Sequence, residues 1–113
     1  MLTSNQVKQI VDTVAQEVKG ILGDALEKVI LYGSYARKDN DNESDVDILL
    51  LAKIPVQQLR LHRSKINRIA SRLSLDNDVL ISITLKDSET FNQYRNDVPF
   101  YANVAKEGVE FRA

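Results

Sequence analysis

The stretch from Leu31 to Leu51, LYGSYARKDNDNESDVDILLL, limits what this chain can fold into more than any other segment. It opens on an apolar run that ends at Gly33-Ser34. A loop with no apolar residue follows from Arg37 to Asp45. It closes with Asp45-Val46-Asp47 running straight into Ile48-Leu49-Leu50-Leu51. The pattern reads strand, turn, loop, strand. In a strand, residues i and i+2 share a face, so Asp45 and Asp47 present two carboxylates side by side, backed by a buried apolar strand. Adjacent like charges raise each other's pKa unless a cation lies between them. Two hard oxygen ligands suit Mg²⁺, which takes one or two carboxylates together with phosphate oxygens.

Two plainer readings compete for the same loop. Asp39, Asp41, Glu43, Asp45 and Asp47 alternate as in a calcium loop, but an EF-hand counted from Asp39 needs Gly at its sixth position and Glu at its twelfth. Those positions hold Ser44 and Leu50, which rejects it. A solvated hairpin loop accounts well for Asp39, Asn40, Asp41 and Asn42, all ordinary turn residues. It accounts less well for Asp45 and Asp47, because acidic residues are poor strand formers and these two abut four apolar ones.

Gly33-Ser34, Ala36-Arg37 and Ser44-Asp45-x-Asp47 together resemble the signature of the polymerase-β-type nucleotidyltransferases, most closely their smallest members, the minimal nucleotidyltransferases. One departure is Lys38, which stands where many relatives have Gly; the loop backbone and the contacts of Arg37 depend on it. The resemblance implies a small mixed β-sheet with helices packed on it, an α/β (α+β) fold. It also implies a third carboxylate on a strand after the long helix. Asp78 is the choice, because it abuts the apolar run Val79–Thr84 as Asp47 abuts its own; Asp76 is the alternative. Further implications are two Mg²⁺ ions held by Asp45, Asp47 and Asp78, and a triphosphate held by Gly33, Ser34, Arg37 and Ser44. The implied activity moves a nucleoside monophosphate, AMP from ATP, to an acceptor hydroxyl. In such families the small transferase is paired with a helical HEPN-type toxin and acts as its antitoxin by adenylylating a tyrosine.

The residues themselves leave several points open. Arg37 can meet a phosphate or an acid of its own loop. Tyr32 reads as core and Tyr35 as exposed near the site. His62, the sole histidine, is given no role. Two other functions stay in play: a small-molecule nucleotidyltransferase working as a homo-oligomer, and a catalytically inactive binding module of the same fold.

Length and charge bound the rest. At 113 residues the chain is one domain, 1–113, and 43% hydrophobic residues suffice for a core. A net charge of −1 argues against nucleic acid as the partner of the whole chain. Without cysteine there is no disulfide framework, thiolate metal site or thiol nucleophile, which suits the cytoplasm. The start, MLTSNQVKQ, lacks the apolar core of a signal peptide, and no apolar run nears the ~18 residues of a membrane span. Charge is uneven: Lys53, Arg60, Arg63, Lys65, Arg68 and Arg72 fall between Ile48 and Leu75 with no acid among them.

In chain order, Ser4 caps a helix with a stripe at Val7, Ile10, Val11, Val14 and Val18, ending near Gly20 or Gly23. Lys28–Tyr32 is a strand, and a short helix from Tyr35 follows Gly33-Ser34. Pro55 starts a helix to about Leu73, with Leu59, Ile66, Ile69, Ala70 and Leu73 inward. Its Arg60, Arg68 and Arg72 form a basic face, either solvated or met by an acidic partner. Val79–Thr84 is the third strand. Ser88 caps a helix to about Tyr94, Pro99 starts the last one, Gly108 ends it, and Val109–Phe111 adds a short strand.

Overall fold

A computed structural model describes residues 2–111. Helix α1 (Ser4–Leu22) leads through a 3-10 turn (Gly23–Ala25) into strand β1 (Leu26–Tyr32). The one-turn helix α2 (Ser34–Arg37) and the acidic loop separate β1 from β2 (Val46–Ala52). A second 3-10 turn (Val56–Gln58) precedes the long helix α3 (Leu59–Asn77), followed by β3 (Ile81–Asp87). Helices α4 (Ser88–Tyr94) and α5 (Pro99–Glu107) and the short strand β4 (Val109–Phe111) complete the described residues.

The four strands form one mixed sheet in the order β3-β2-β1-β4. β1 pairs antiparallel with both β2 and β4, whereas β2 and β3 run parallel. The parallel pair follows from the connection: α3 carries the chain back along the sheet, and a parallel pair needs such a crossover. β2 is nearly all apolar because it is central and covered on both sides.

Alternation along β2 splits the core into two layers. Ile48 and Leu50 pack with Val11, Val14 and Val18 of α1 and with Ile66, Ile69 and Leu73 of α3. Leu49 and Leu51 face the other way, against Phe91 of α4 and Val104 of α5. Asp47 shares the α4/α5 face by the same alternation. The helical stripes expected on α1 and α3 are buried as expected.

Several boundaries shift for local reasons. Thr3, not Ser4, caps α1, because its hydroxyl accepts the Gln6 N–H while the Gln6 side chain accepts the Thr3 N–H. Asp87, not Ser88, caps α4: its carboxylate accepts the Thr90 N–H at 2.9 Å. Burial pushes the Asp87 carboxyl up, but the bonds it accepts at this cap outweigh burial and leave it below the ordinary value. Asp87→Ala should therefore cost about 1 kcal/mol at neutral pH. That penalty should shrink as acid protonates Asp87, since a lowered carboxyl stabilises only while ionised; denaturant titrations at several pH values measure it.

Helix α3 runs on to Asn77, four residues past the expected end. Asp78 terminates it in the left-handed conformation, φ 50°, with its N–H donating to the Ser74 carbonyl. The third strand accordingly starts at Ile81 rather than Val79.

Candidate active site

Gly33 is the pivot of the site. It joins β1 to α2 at φ 78°, ψ −157°, a conformation open essentially to glycine alone. Its carbonyl accepts the N–H groups of Ala36 and Arg37, which closes the single turn of α2. A Cβ at this position would collide with Oδ2 of Asp47. The missing side chain thus brings the backbone at the head of α2 directly against a carboxylate of the next strand. Ser34 opens α2, where leading N–H groups have no partner within the helix.

Asp45 lies immediately before β2 and is exposed; Asp47 is its second residue and is half-buried. The Asp47 carboxyl is pushed above its ordinary value, first by burial and then by the neighbouring Asp45 charge, with Arg37 pulling the other way. A half-buried carboxylate beside a second one is a site that gains from a cation.

Arg37 takes neither purely local nor purely ligand-directed form. Its Nε donates to Asp39 at 3.0 Å and its Nη1 to Glu107 at 3.4 Å, tying α2 to the end of α5. Lys38, the departure from the family pattern, adopts the left-handed conformation that Gly would take there, φ 63°, and caps α2. Lys38→Gly should raise stability by about 1 kcal/mol in chemical denaturation, because the Cβ penalty of that conformation disappears.

Ser44 is turned into its own loop. Its hydroxyl accepts the Asp41 N–H at 2.9 Å and donates to Asp41 Oδ1 at 3.2 Å, while Asp41 Oδ1 also accepts the Glu43 N–H. It shapes the approach to Asp45 rather than offering its hydroxyl to a ligand.

The expectation that Asp78 joins Asp45 and Asp47 is corrected by the structure. Asp78 is exposed and is spent on ending α3, and Asp76 lies within α3 itself. Neither is on β3. Among the described residues, no three His, Cys, Asp or Glu side chains converge to hold a metal ion. The β3 residue that pairs with Asp47 is Ser82, and Thr84 follows on the same face. The sequence reading erred because the apolar run Val79–Thr84 begins before the strand does: helix termination takes the residues around Asp78 first. Asp78→Gly should preserve the cap, leave stability unchanged or slightly higher, and leave nucleotide transfer within about twofold of wild type. Loss of transfer in a folded Asp78→Gly protein would restore its role as a ligand.

Tyr32 packs against the core layer of Ile30, Leu49, Leu51, Phe91 and Val104, as expected, and also borders the site. It is the register partner of Asp47, lies half-buried on the same face and is hydrogen-bonded to the Thr84 side chain. Phe100 of α5 meets it edge-to-face, with ring centroids 5.4 Å apart. Burial raises the Tyr32 hydroxyl pKa, the Thr84 bond opposes this, and the Asp47 charge adds to it.

Comparison with known proteins places the chain in a family. The profile of the nucleotidyltransferase domain family matches residues 7–107. Two Methanocaldococcus jannaschii proteins provisionally named as protein adenylyltransferases are similar in sequence. One is 46% identical over 78 residues, 68% of this chain and 76% of that protein. The other is 30% identical over 102 residues, 90% of each. Among solved structures, a Sulfolobus solfataricus protein assigned as a nucleotidyltransferase superposes with a TM-score of 0.66 at 21% identity, covering 96% of this chain and 81% of that one. A chain of a toxin–antitoxin structure with AMP-PNP gives 0.55 at 17% identity, covering 96% and 72%. A chain of the Shewanella oneidensis complex of tri-AMPylated HEPN toxin with MNT antitoxin gives 0.54 at 15%, covering 96% and 71%. With a family profile spanning most of its length and its glycine turn set against a strand-end carboxylate pair, the chain belongs to the nucleotidyltransferase domain family.

Proposed function

We propose that this protein transfers AMP from ATP to a hydroxyl on a partner protein, of the HEPN type, and so acts as the antitoxin of a pair. The observation that carries the reading is the contact of Gly33 with Asp47, which sets the head of α2 beside two carboxylates. The relatives named as protein adenylyltransferases and the AMPylated toxin complex support the substrate class.

The donor set fits magnesium. Asp45 and Asp47 would hold the ion through hard carboxylate oxygens, and triphosphate oxygens would complete its shell. Bound there, the ion would neutralise charge on the triphosphate and favour ionisation of an acceptor hydroxyl. Gly33 and Ser34 would receive the triphosphate through backbone N–H groups and a hydroxyl. Arg37, already shared between Asp39 and Glu107, would hold α2 in place and balance charge near Asp47. Catalysis on this account rests on positioning and electrostatics rather than on a protein nucleophile.

Ser82 in the position beside Asp47 favours a second reading, a binding module that retains nucleotide without transferring it, because a neutral hydroxyl replaces the expected third carboxylate. Two measurements separate the readings. Calorimetry with AMP-PNP should show binding that weakens without Mg²⁺ and disappears in the Asp45→Asn, Asp47→Asn double variant. Transfer of labelled AMP from ATP to a co-purified helical partner should require Mg²⁺. Binding without transfer selects the module; undiminished binding in the double variant removes both readings.

A further inference from the structure

Strand β3 is an edge of the sheet, and nothing among the described residues pairs with its outer side. The Val46 N–H donates to the Leu80 carbonyl, and the parallel register continues from Val46–Ile81 to Ala52–Asp87. In that ladder Leu80, Ser82, Thr84 and Lys86 turn their peptide groups toward β2, and Ile81, Ile83 and Leu85 turn theirs outward. The Ile81 N–H is taken by Ser74 Oγ at 2.9 Å. Ile83 and Leu85 are left with outward-facing backbone and no strand beyond them.

This edge is lightly protected: its charged residues, Lys86 and Asp87, lie at its end beyond Leu85. It is seven residues long, with no proline and no bulge in its register. Beside it lies a trough formed with α3. One part runs along Asn67, Ser71, Leu75, Leu80 and Ile83, and the other along Arg63, Asn67 and Ile83 to Leu85. Leu75 and Leu80 line this trough and are 84% and 60% exposed. Arg60 stands one turn before Arg63 on α3, and neither forms an ion pair among the described residues. Arg72, by contrast, is bound to Glu17 of α1.

The geometry points to this edge as the docking surface for the acceptor: an extended, acidic segment of the partner protein adds as a strand to β3. Its backbone bonds to Ile83 and Leu85, its acidic side chains meet Arg60 and Arg63, and an apolar side chain covers Leu75 and Leu80. This rests on the transferase reading given above. It brings the acceptor close to the carboxylates, because Ser82 of β3 pairs directly with Asp47. A strand added to β3 lies about 9–10 Å from β2, two strand spacings, within reach of a long hydroxyl-bearing side chain. Charge decides against a second copy as the occupant. Joining two β3 edges would bring two α3 helices together, each with the same acid-free basic run.

Ile83→Pro tests the backbone contact, because it removes an outward N–H and leaves the bonds to β2 in place. Arg60→Glu with Arg63→Glu tests the charge contact with little risk to the fold. The probes are a random Glu–Tyr copolymer, acidic and rich in hydroxyls, and a Lys–Tyr copolymer as the basic control. Binding is read by fluorescence anisotropy, and AMP-PNP affinity by calorimetry in parallel. Wild type should bind the acidic polymer at least about tenfold tighter than the basic one. Each variant should lose about tenfold or more of that affinity, with AMP-PNP affinity unchanged. Equal binding of the two polymers, binding of neither, or full binding by both variants overturns the docking surface without touching the nucleotide site. So does a wild-type dimer in sedimentation that Ile83→Pro dissolves, since the edge would then belong to a second copy. Loss of AMP-PNP binding in wild type is a failure of the transferase reading instead, and the polymer arms are independent of it.

Discussion

Asp47→Asn should abolish AMP transfer and, without magnesium or nucleotide, make the protein more stable near neutral pH. The two effects share one cause. Asp47 is half-buried beside Asp45, and burial and repulsion together hold its carboxyl above the ordinary value. A carboxyl raised on folding binds its proton more tightly in the native state, so the native state loses stability as pH rises from the unfolded-state value of 3.8 through the raised one. Asn carries no charge and escapes that loss. The variant and wild type should therefore have similar thermal midpoints in acid, and the variant should pull ahead as pH climbs. Saturating ATP with Mg²⁺ should reverse the order, because ligand binding only to native wild type adds about 2.7 kcal/mol at a hundredfold excess over Kd. Transfer should fall about a thousandfold or more, the scale of ~4 kcal/mol of transition-state stabilisation. A variant that is less stable at neutral pH, or that keeps transfer, is incompatible with Asp47 as a charge held ready for a cation.

Gly33→Ala should be nearly as damaging by a different route. Its backbone occupies a region that costs residues with a Cβ about 1–3 kcal/mol. The added methyl also collides with Asp47 Oδ2, so either α2 or the carboxylate must move. A displacement of about 1 Å at a reacting centre costs on the order of a hundredfold in rate. We expect stability to fall by about 2 kcal/mol and transfer by a hundredfold or more. The collision can be isolated with a double-mutant cycle. Asp47→Ala removes the oxygen that the methyl strikes, so in the Gly33→Ala background it should restore part of the lost stability. Additivity within about 0.5 kcal/mol would show that backbone strain alone is responsible and that the two residues do not press on each other.

The sequence by itself determined the elements and the carboxylate pair. Periodicity of 3.6 and of 2 sorted α1, α3 and β2 into buried and exposed faces, because those repeats arise from local geometry. Asp45 and Asp47 could be placed together for the same reason: two residues in one strand need no tertiary information to share a face. The turn at Gly33 was also legible, though not its purpose, since the contact with Asp47 joins residues fourteen positions apart. What only the tertiary structure decided were the residues whose roles depend on another element. Ser82 came to stand beside Asp47 because β3 pairs with β2 in a register set by packing, which no local pattern encodes. Asp78 was claimed by the end of α3 because helix termination needs a residue able to take the left-handed conformation, and Asp does so more readily than most. Tyr32 joined the site because the face it shares depends on which strand lies next to it. Pairing across strands and competition between a helix end and a strand start are long-range matters, and the chain resolves them only by folding.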